Sequence, residues 1–282
     1  MRLRDAKISG RGPLDLGVHL FHYATSSCSQ KTRIFLNLKG VDWQPHPVDL
    51  SKAENNEDWF LGINPRGLVP VLVIDGEVHI ESNDILAELE DRFPDPPLFP
   101  AGDRNRIERI LQEEDELHID LRTLSFRFVF NRTKSTKPAE ALESYRRHGE
   151  GIADPKKAKE VAFYDRIAAE GLSDALVRQA AAKFRAAFDK WDSRLVGGKY
   201  LLGDTLTVVD IAWYVYAKRL RLGGYPMQRF HPRLEDWFLA LDARSDFQEG
   251  IALTPELAAI IAANRQQQEE TATTMCDIAG WR

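Results

Sequence analysis

The strand signals of this sequence lie almost entirely before a proline-rich segment, and this division constrains the fold more than any other feature. Between residues 17 and 93, short runs of β-branched and aromatic residues alternate with amphipathic helical patterns. The segment PDPPLFP at 94–100 then interrupts regular structure, because proline lacks a backbone donor. From Arg104 onward the periodicity is helical. The sequence therefore predicts an α/β domain followed by an all-helical domain.

The first domain is predicted to be a βαβ unit followed by a ββα unit. The predicted strands are 18–23, 43–49, 71–74 and 77–80, the predicted helices are 29–39 and 82–93, and a polar connection precedes the third strand. The hairpin is predicted from Asp75-Gly76, a favoured two-residue turn between two runs of β-forming residues.

The remaining boundaries follow from composition. We predict a flexible N-terminus at 1–16, a first domain at 17–95, a linker at 96–103, a helical domain at 104–265 and a C-terminal tail at 266–282. Within the helical domain, residues 131–160 are rich in charge and poor in apolar side chains, which indicates a solvated insertion with at most a short helix. Thr207 and Asp210 are spaced as a capping box, so we expect them to act in folding.

Charge and cysteine content narrow the class of function. A net charge of −5 over 282 residues gives no general attraction to nucleic acid or to anionic lipid. No apolar run is long enough to span a membrane, and no secretory leader pattern is present. The two cysteines, Cys28 and Cys276, do not indicate a disulfide scaffold, so a reducing cytoplasm is expected. The seven histidines show no ligand spacing, so no metal is expected.

The turn between the first strand and the first helix is rich in hydroxyl and thiol groups. Residues 25–29 read TSSCS, and the helix that follows ends at Gly40. Because a helix N-terminus presents free N–H groups and partial positive charge, this turn is suited to an anion such as a thiolate. We expect Lys31 and Arg33, at the start of the helix, to be solvated charges.

Four stretches together resemble one family. They are YATSSCSQKTR at 23–33, NPRGLVPVLVIDG at 64–76, ESNDILAELEDRFP at 81–94 and LLGDTLTVVDIAWY at 201–214. With the predicted domain order, they resemble the glutathione transferase superfamily. The resemblance implies a thioredoxin-like glutathione-binding domain, an all-helical bundle that binds the second substrate, glutathione as co-substrate, and a homodimer.

The resemblance also implies where glutathione binds. Val69 would pair its backbone with the cysteinyl part of glutathione, as in strand addition, and the bond before Pro70 would be cis. Glu81 would bind the α-ammonium group and Ser82 the carboxylate of the γ-glutamyl end. Arg66 is a candidate for the glycine carboxylate.

The catalytic candidates are Ser26, Ser27 and Cys28. Aligned by the helix that follows, Ser26 falls where serine-type members hold the hydroxyl facing the thiol, and the string SSC is similar to the zeta class. A hydroxyl donating to the sulfur stabilises a thiolate, and one serine suffices. Cys28 is alternatively a small buried apolar residue, and Tyr23 is a further candidate for the thiol partner.

The expected activity is attack of the glutathione thiolate on a small apolar or aromatic electrophile. The resemblance extends to zeta-class isomerases and to bacterial β-etherases, so cis–trans isomerisation and ether cleavage stay open, as does a non-catalytic binding or scaffold protein. Residues near 104–130 are expected to meet the electrophile, although the same stripe suits plain core: Leu117, Leu121, Leu124, Phe126, Phe128 and Phe130.

Overall fold

The computed structural model describes residues 2–3, 14, 16–131, 140, 143, 146–147 and 154–281. The chain divides into two compact units: Met1–Pro96 with Ser135–Ala169, and Pro97–Lys134 with Glu170–Arg282. The first contains a mixed sheet with helices, and the second is built from helices. The predicted fold class, a thioredoxin-like βαβ-ββα domain followed by an all-helical domain, is confirmed.

The elements before Pro96 are β1 (Arg2–Leu3), β2 (Val18–His22), α1 (Ser27–Lys39), β3 (Gln44–Pro47), α2 (Asp58–Ile63), β4 (Val71–Ile74), β5 (Glu77–His79) and α3 (Ser82–Arg92). The later helices are α4 (Arg104–Glu116), α5 (His118–Leu124), α6 (Pro155–Glu170), α7 (Asp174–Arg194), α8 (Val208–Leu222), α9 (Met227–Phe230), α10 (Pro232–Asp242), α11 (Ser245–Ile251), α12 (Pro255–Glu270) and α13 (Met275–Ala279). A short 3₁₀ helix covers Glu54–Asn56, and a π-helical turn covers Ser125–Val129. Among the described helices, none is both long and apolar enough to cross a membrane.

The order of the strands determines which strand ends lie next to each other in the sheet. Its strands lie in the order β1-β5-β4-β2-β3, with β2 parallel to β3 and antiparallel to β4. Phe21, near the end of β2, pairs with Val71 at the start of β4. The turn after β2 therefore lies next to the residues that precede β4.

The core of the first unit explains a helix that the sequence analysis missed. The connection predicted as polar contains α2, whose Phe60, Leu61 and Ile63 are fully buried. Phe60 and Ile63 pack in one cluster with Phe21 and Val71. The helix is too short for its periodicity to stand out, and burial of its apolar face stabilises it.

Both chain ends contain regular structure within the predicted flexible N-terminus and the predicted C-terminal tail. Most of residues 1–16 lie outside the described residues, but Arg2–Leu3 pair with β5 and Leu14 is buried in the core. At the other end, α12 continues to Glu270 and α13 follows within the predicted tail. A capping box formed by Thr274 and Asp277 starts α13.

The described part of the predicted insertion also differs from expectation. From Asp154 the chain enters α6, a helix of 16 residues, where at most a short helix was expected. Its Phe163 and Ile167 are buried. The compact units place Ser135–Ala169 with the first unit, whereas the sequence analysis assigned these residues to the helical domain. The rest of 131–160 falls largely outside the described residues.

The capping box predicted at the start of α8 is present. Asp210 is fully buried, and its carboxylate accepts from the Thr207 N–H at 2.9 Å and the Thr207 hydroxyl at 3.1 Å. The same carboxylate accepts from the Leu201 N–H at 2.9 Å and the Trp237 indole at 3.0 Å. One side chain therefore satisfies four buried donors on three segments of the second unit.

We expect Asp210→Ala to lower the free energy of unfolding by about 3–5 kcal/mol, because it leaves several buried donors without an acceptor. Urea unfolding followed by circular dichroism measures the change. The matched control is Asp204→Ala, which removes an exposed carboxylate nearby and should change stability by less than about 0.5 kcal/mol. Equal effects of the two substitutions would contradict the role assigned to Asp210.

Candidate functional site

The turn after β2 ends in a capped helix start. Ser26 is the N-cap of α1, with an extended backbone at φ −69° and ψ 122°. Its hydroxyl oxygen accepts from the Ser29 N–H at 3.3 Å, and the Ser29 hydroxyl accepts from the Tyr23 N–H at 3.4 Å. The hydroxyl of Ser26 therefore lies at the amino end of α1, where the helix presents its partial positive charge.

A buried arginine fixes this turn, which corrects the expectation of solvated charges on α1. Arg33 is almost fully buried and donates to the Tyr23 carbonyl at 3.2 Å and the Ala24 carbonyl at 2.9 Å. Burial lowers the pKa of Arg33 to about 10, so it stays charged at neutral pH. Lys31 is also buried, and its ammonium group donates to the Asn83 side chain at 2.6 Å. These hydrogen bonds make burial of both cations possible.

The structure brings the candidate turn next to Val69-Pro70. The peptide bond between these residues is cis, as the resemblance implied. The Ser26 hydroxyl donates to the Val69 carbonyl over 3.5 Å, although the two residues are 43 positions apart. A hydroxyl at a helix N-terminus and the backbone of an extended segment therefore share one site.

The loop before Val69 is held by two asparagines. The Asn64 side chain donates to the Leu68 carbonyl at 2.7 Å and accepts from the Arg66 N–H at 3.0 Å. The buried Asn55 side chain donates to the Gly67 carbonyl at 2.6 Å. These contacts fix the backbone from Arg66 to Leu68 and so orient the Arg66 side chain.

Glu81 and Ser82 start α3. Glu81 is the N-cap, with a backbone φ of 71° and ψ of 111°, and Ser82 is the first helical residue and is buried. A positive φ is uncommon for a residue with a Cβ atom, and such conformations cluster at binding sites. The strained backbone fixes the place from which the Glu81 carboxylate extends.

A charged network joins this helix start to the beginning of α6. The Arg66 guanidinium binds a Glu81 carboxylate oxygen and donates through Nε to Asp154 at 2.6 Å. The Lys156 ammonium group donates to the other Glu81 oxygen at 2.5 Å. Lys157 reaches the carbonyl of Pro65 at 3.2 Å. All of these residues lie in the first unit.

Charge pairing shifts the titration of the network. Burial is the largest single influence on both Arg66 and Asp154 and opposes their charged forms, but their hydrogen bonds and the nearby opposite charges together outweigh it. The pKa of Asp154 is held below its usual range and that of Arg66 is raised. Asp154 also accepts from the backbone N–H groups of Lys156 and Lys157, so the same carboxylate caps α6.

The sequence analysis did not assign Asp154 or Lys156 to the site. The available signal was local: an aspartate before a proline is a helix-start pattern, and Pro155 is the first residue of α6. That pattern predicts a cap but not a partner 88 positions away.

The other candidates of the turn lie beside Ser26. Ser27 is the first residue of α1 and is buried, and Cys28 follows it in a half-buried position. Tyr23 is partly buried and packs against the core of the first unit.

Among the described residues, three side chains that could ligate a metal ion lie close together. Potential ligand atoms of Glu77, His79 and Glu88 lie within 4.8 Å of one another. Arg92 donates to Glu77 and to Glu88, each at 2.7 Å, so a guanidinium already offsets the carboxylate charge.

The residues expected to meet the electrophile divide into two groups. Leu121, Leu124 and Phe128 are fully buried, whereas Leu117, Phe126 and Phe130 are half-buried. The guanidinium of Arg219 lies 5.2 Å from the centre of the Phe130 ring.

Comparison with known proteins agrees with this arrangement. A model of the glutathione S-transferase N-terminal domain matches residues 25–92, and a model of the C-terminal domain matches residues 174–240. The first match contains Ser26, Val69-Pro70 and Glu81-Ser82, and the second contains the capping box.

Curated relatives match the first part of the chain. Glutathione S-transferase Z2 of Arabidopsis thaliana is 44% identical over 88 residues, 31% of this chain and 39% of the relative. The maleylacetoacetate isomerase of Pseudomonas aeruginosa is 40% identical over 90 residues, 31% of this chain and 42% of the relative. The chain thus spans about two fifths of the length of these relatives.

A solved structure matches more of the chain. The β-etherase LigF from Sphingobium sp. strain SYK-6 is 26% identical, with a TM-score of 0.70, and the match covers 83% of this chain and 98% of LigF. The fold and the matches define a protein with a thioredoxin-like unit and a helical unit. The chain belongs to the glutathione transferase superfamily.

The histidine beside Arg33 provides a pH test of the site. Burial and the charge of Arg33 lower the pKa of His22 to about 4, against 6.5 for the unfolded chain. As the pH falls from 6.5 to 4, the unfolded chain binds a proton that the folded chain does not, so His22 reduces folding stability over this range. We therefore expect the free energy of unfolding of wild type to decrease more than that of His22→Gln as the pH falls.

Urea unfolding of both proteins at pH 7, 6, 5 and 4.5 measures this shift. Titration of the carboxylates affects the two proteins equally, so it cancels in the difference between their free energies of unfolding. Parallel pH profiles would show that His22 does not have the lowered pKa.

Proposed function

We propose that this protein is a glutathione transferase that ionises glutathione and directs the thiolate at a small apolar or aromatic electrophile. The observation that best supports the proposal is the hydrogen bond from Ser26 to the Val69 carbonyl. It joins a helix start suited to a thiolate with a backbone suited to the cysteinyl part of a peptide.

In this proposal glutathione binds along three elements of the first unit. Val69 pairs its backbone with the cysteinyl residue, Glu81 binds the α-ammonium group, and Ser82 with the first N–H groups of α3 binds the γ-glutamyl carboxylate. Arg66 is paired with Glu81 and Asp154, so we propose that it positions Glu81 and does not bind the glycine carboxylate.

The chemical role of the turn is to hold a thiolate at neutral pH. A free thiol with a pKa of about 8.5 is only about 3% ionised at pH 7, and lowering that pKa by about two units requires about 2.7 kcal/mol. A hydroxyl that donates to the anion supplies about 1.5–3 kcal/mol, and the helix N-terminus adds about 0.3–1 kcal/mol. When glutathione binds, the single Ser26 hydroxyl proton turns from the Val69 carbonyl to the sulfur, so Ser26 and α1 suffice and the chain needs no separate general base.

Two related reactions have specific support. The match to LigF extends over both units and favours glutathione-dependent cleavage of aryl ethers. The match to maleylacetoacetate isomerase is confined to about 90 residues and favours cis–trans isomerisation through the same thiolate. Turnover of a β-aryl ether and of maleylacetoacetate, assayed beside a chlorinated aromatic, distinguishes the three reactions.

We expect Ser26→Ala to raise the pKa of bound glutathione by about one to two units, because the sulfur loses a charge-assisted hydrogen bond. The rate with a chlorodinitrobenzene at pH 6.5 should fall about 5- to 50-fold, in proportion to the lost thiolate, with little change in glutathione affinity. Titration of thiolate absorbance in the enzyme complex measures the pKa directly.

Ser27→Ala and Cys28→Ala are the matched controls. Each removes one small polar group from the adjacent positions and should leave the pKa of bound glutathione near its wild-type value. A raised pKa in either control, with none in Ser26→Ala, would move the catalytic role to that residue. Glutathione binding without turnover of any of the three electrophiles would favour a non-catalytic binding or scaffold protein.

We further propose that the protein is a homodimer and acts in the cytoplasm, where reduced glutathione is available. The resemblance to the family supports both statements. Sedimentation equilibrium separates a dimer from a monomer of 32.1 kDa, and a monomer at micromolar concentration would contradict the first.

A further inference from the structure

The start of α6 occupies the part of the site that faces the proposed ammonium subsite. The Lys156 ammonium group lies 2.5 Å from a Glu81 oxygen, and Asp154 lies 2.6 Å from Arg66, which binds the other Glu81 oxygen. Lys156 is 75 positions from Glu81 in sequence and belongs to the charge-rich segment that follows residue 131. A primary ammonium group at a carboxylate is the same chemical pair that the γ-glutamyl end of glutathione would form there.

We propose that Lys156 is a tethered competitor for the α-ammonium group of glutathione, held at Glu81 until the ligand displaces it. The proposal rests on the assignment of Glu81 as the ammonium subsite. It makes Lys156 a residue that lowers the affinity for glutathione and narrows the preference for ligands with a free α-amino group over those without one.

The charges of the network require this exchange. Three cations, Arg66, Lys156 and Lys157, already surround two anions, Glu81 and Asp154. The Glu81 side chain is only 17% exposed, so solvent screens an added charge weakly. An incoming ammonium group beside Lys156 would place a fourth positive charge near Glu81 and Asp154, and departure of Lys156 relieves this repulsion.

Lys156 is the cation that can leave. Its side chain is 46% exposed and ends a flexible four-carbon stem, so it can move into solvent at little cost. Arg66 is 13% exposed and is held by two carboxylates. Arg66 holds the mostly buried Glu81 carboxylate in place, so the competing cations exchange around a stationary acceptor.

Asp154 is the positioning residue for the competitor. Its carboxylate holds Arg66 through one oxygen and caps the first turn of α6 through the other, which fixes the position of Lys156 two residues later. The helix start and the ligand subsite thus share one carboxylate.

A lysine that must be displaced lowers the apparent affinity by the fraction of molecules in which it occupies Glu81. We expect Lys156→Gln to bind glutathione about threefold to tenfold more tightly than wild type. The same substitution should leave the affinity for deamino-glutathione, which lacks the α-ammonium group, unchanged. Isothermal titration calorimetry of the full chain measures both ligands.

Two further variants control the result. Lys159→Gln makes the same charge change at an exposed position of α6, and should leave glutathione affinity near that of wild type. Lys156→Arg keeps a cation at Glu81 and should retain the weaker wild-type affinity. Tighter binding only in Lys156→Gln, and only for glutathione, supports the proposal.

Several outcomes overturn it. Weaker or unchanged glutathione binding in Lys156→Gln would show that Lys156 assists the ligand or does not meet it, while the proposed function survives. An equal gain in affinity for glutathione and deamino-glutathione would show that the loss of a positive charge, and not competition for Glu81, causes the change. If neither wild type nor Lys156→Gln binds glutathione at millimolar concentration, the proposed function and this inference fail together.

Discussion

The turn that carries Ser26 depends on one buried guanidinium. Arg33 extends from α1 back to the Tyr23 and Ala24 carbonyls and meets His22 at 3.2 Å. A single side chain thus holds the end of the strand and the start of the turn against the helix that follows them. The hydroxyl at the helix start has a defined direction because the backbone before it is fixed at this point.

Charged contacts also join the two helices whose starts form the site. Lys31 of α1 binds Asn83 in the first turn of α3. Near the other end of both helices, Lys39 binds Glu90 at 2.6 Å, with both side chains almost fully buried. Because these contacts lie at both ends of the α1–α3 pair, they fix the relative position of the two helix starts. The charge of α1 therefore acts in assembly of the site as well as in its electrostatics.

Local patterns predicted the parts of this protein that depend on local physics. The Asp75-Gly76 turn, the strand Val71–Ile74 and the capping box at Thr207 follow from backbone preferences within a few residues. The grouping of a serine turn with Val69-Pro70 also follows from sequence, through the resemblance and the order of strands.

The features that were missed depend on partners far along the chain. Lys31 has the composition of a solvated helix face, but its ammonium group is buried and donates to Asn83, 52 positions away. Asp154 shows a helix-start pattern, but its second partner, Arg66, is set by tertiary contacts of a segment that looks solvated in sequence. A short helix such as α2 is stabilised by the core it joins, so its own periodicity is too brief to reveal it.

The backbone conformation at Glu81 would suit glycine, whereas the charged contacts at this position need a carboxylate. A residue with a Cβ atom at φ 71° stores about 1–3 kcal/mol that a glycine would release. Glycine at this position would release that strain, but it would also remove the carboxylate that pairs with Arg66 and Lys156. Relief of the backbone strain and retention of the charged network therefore place opposite demands on this one position.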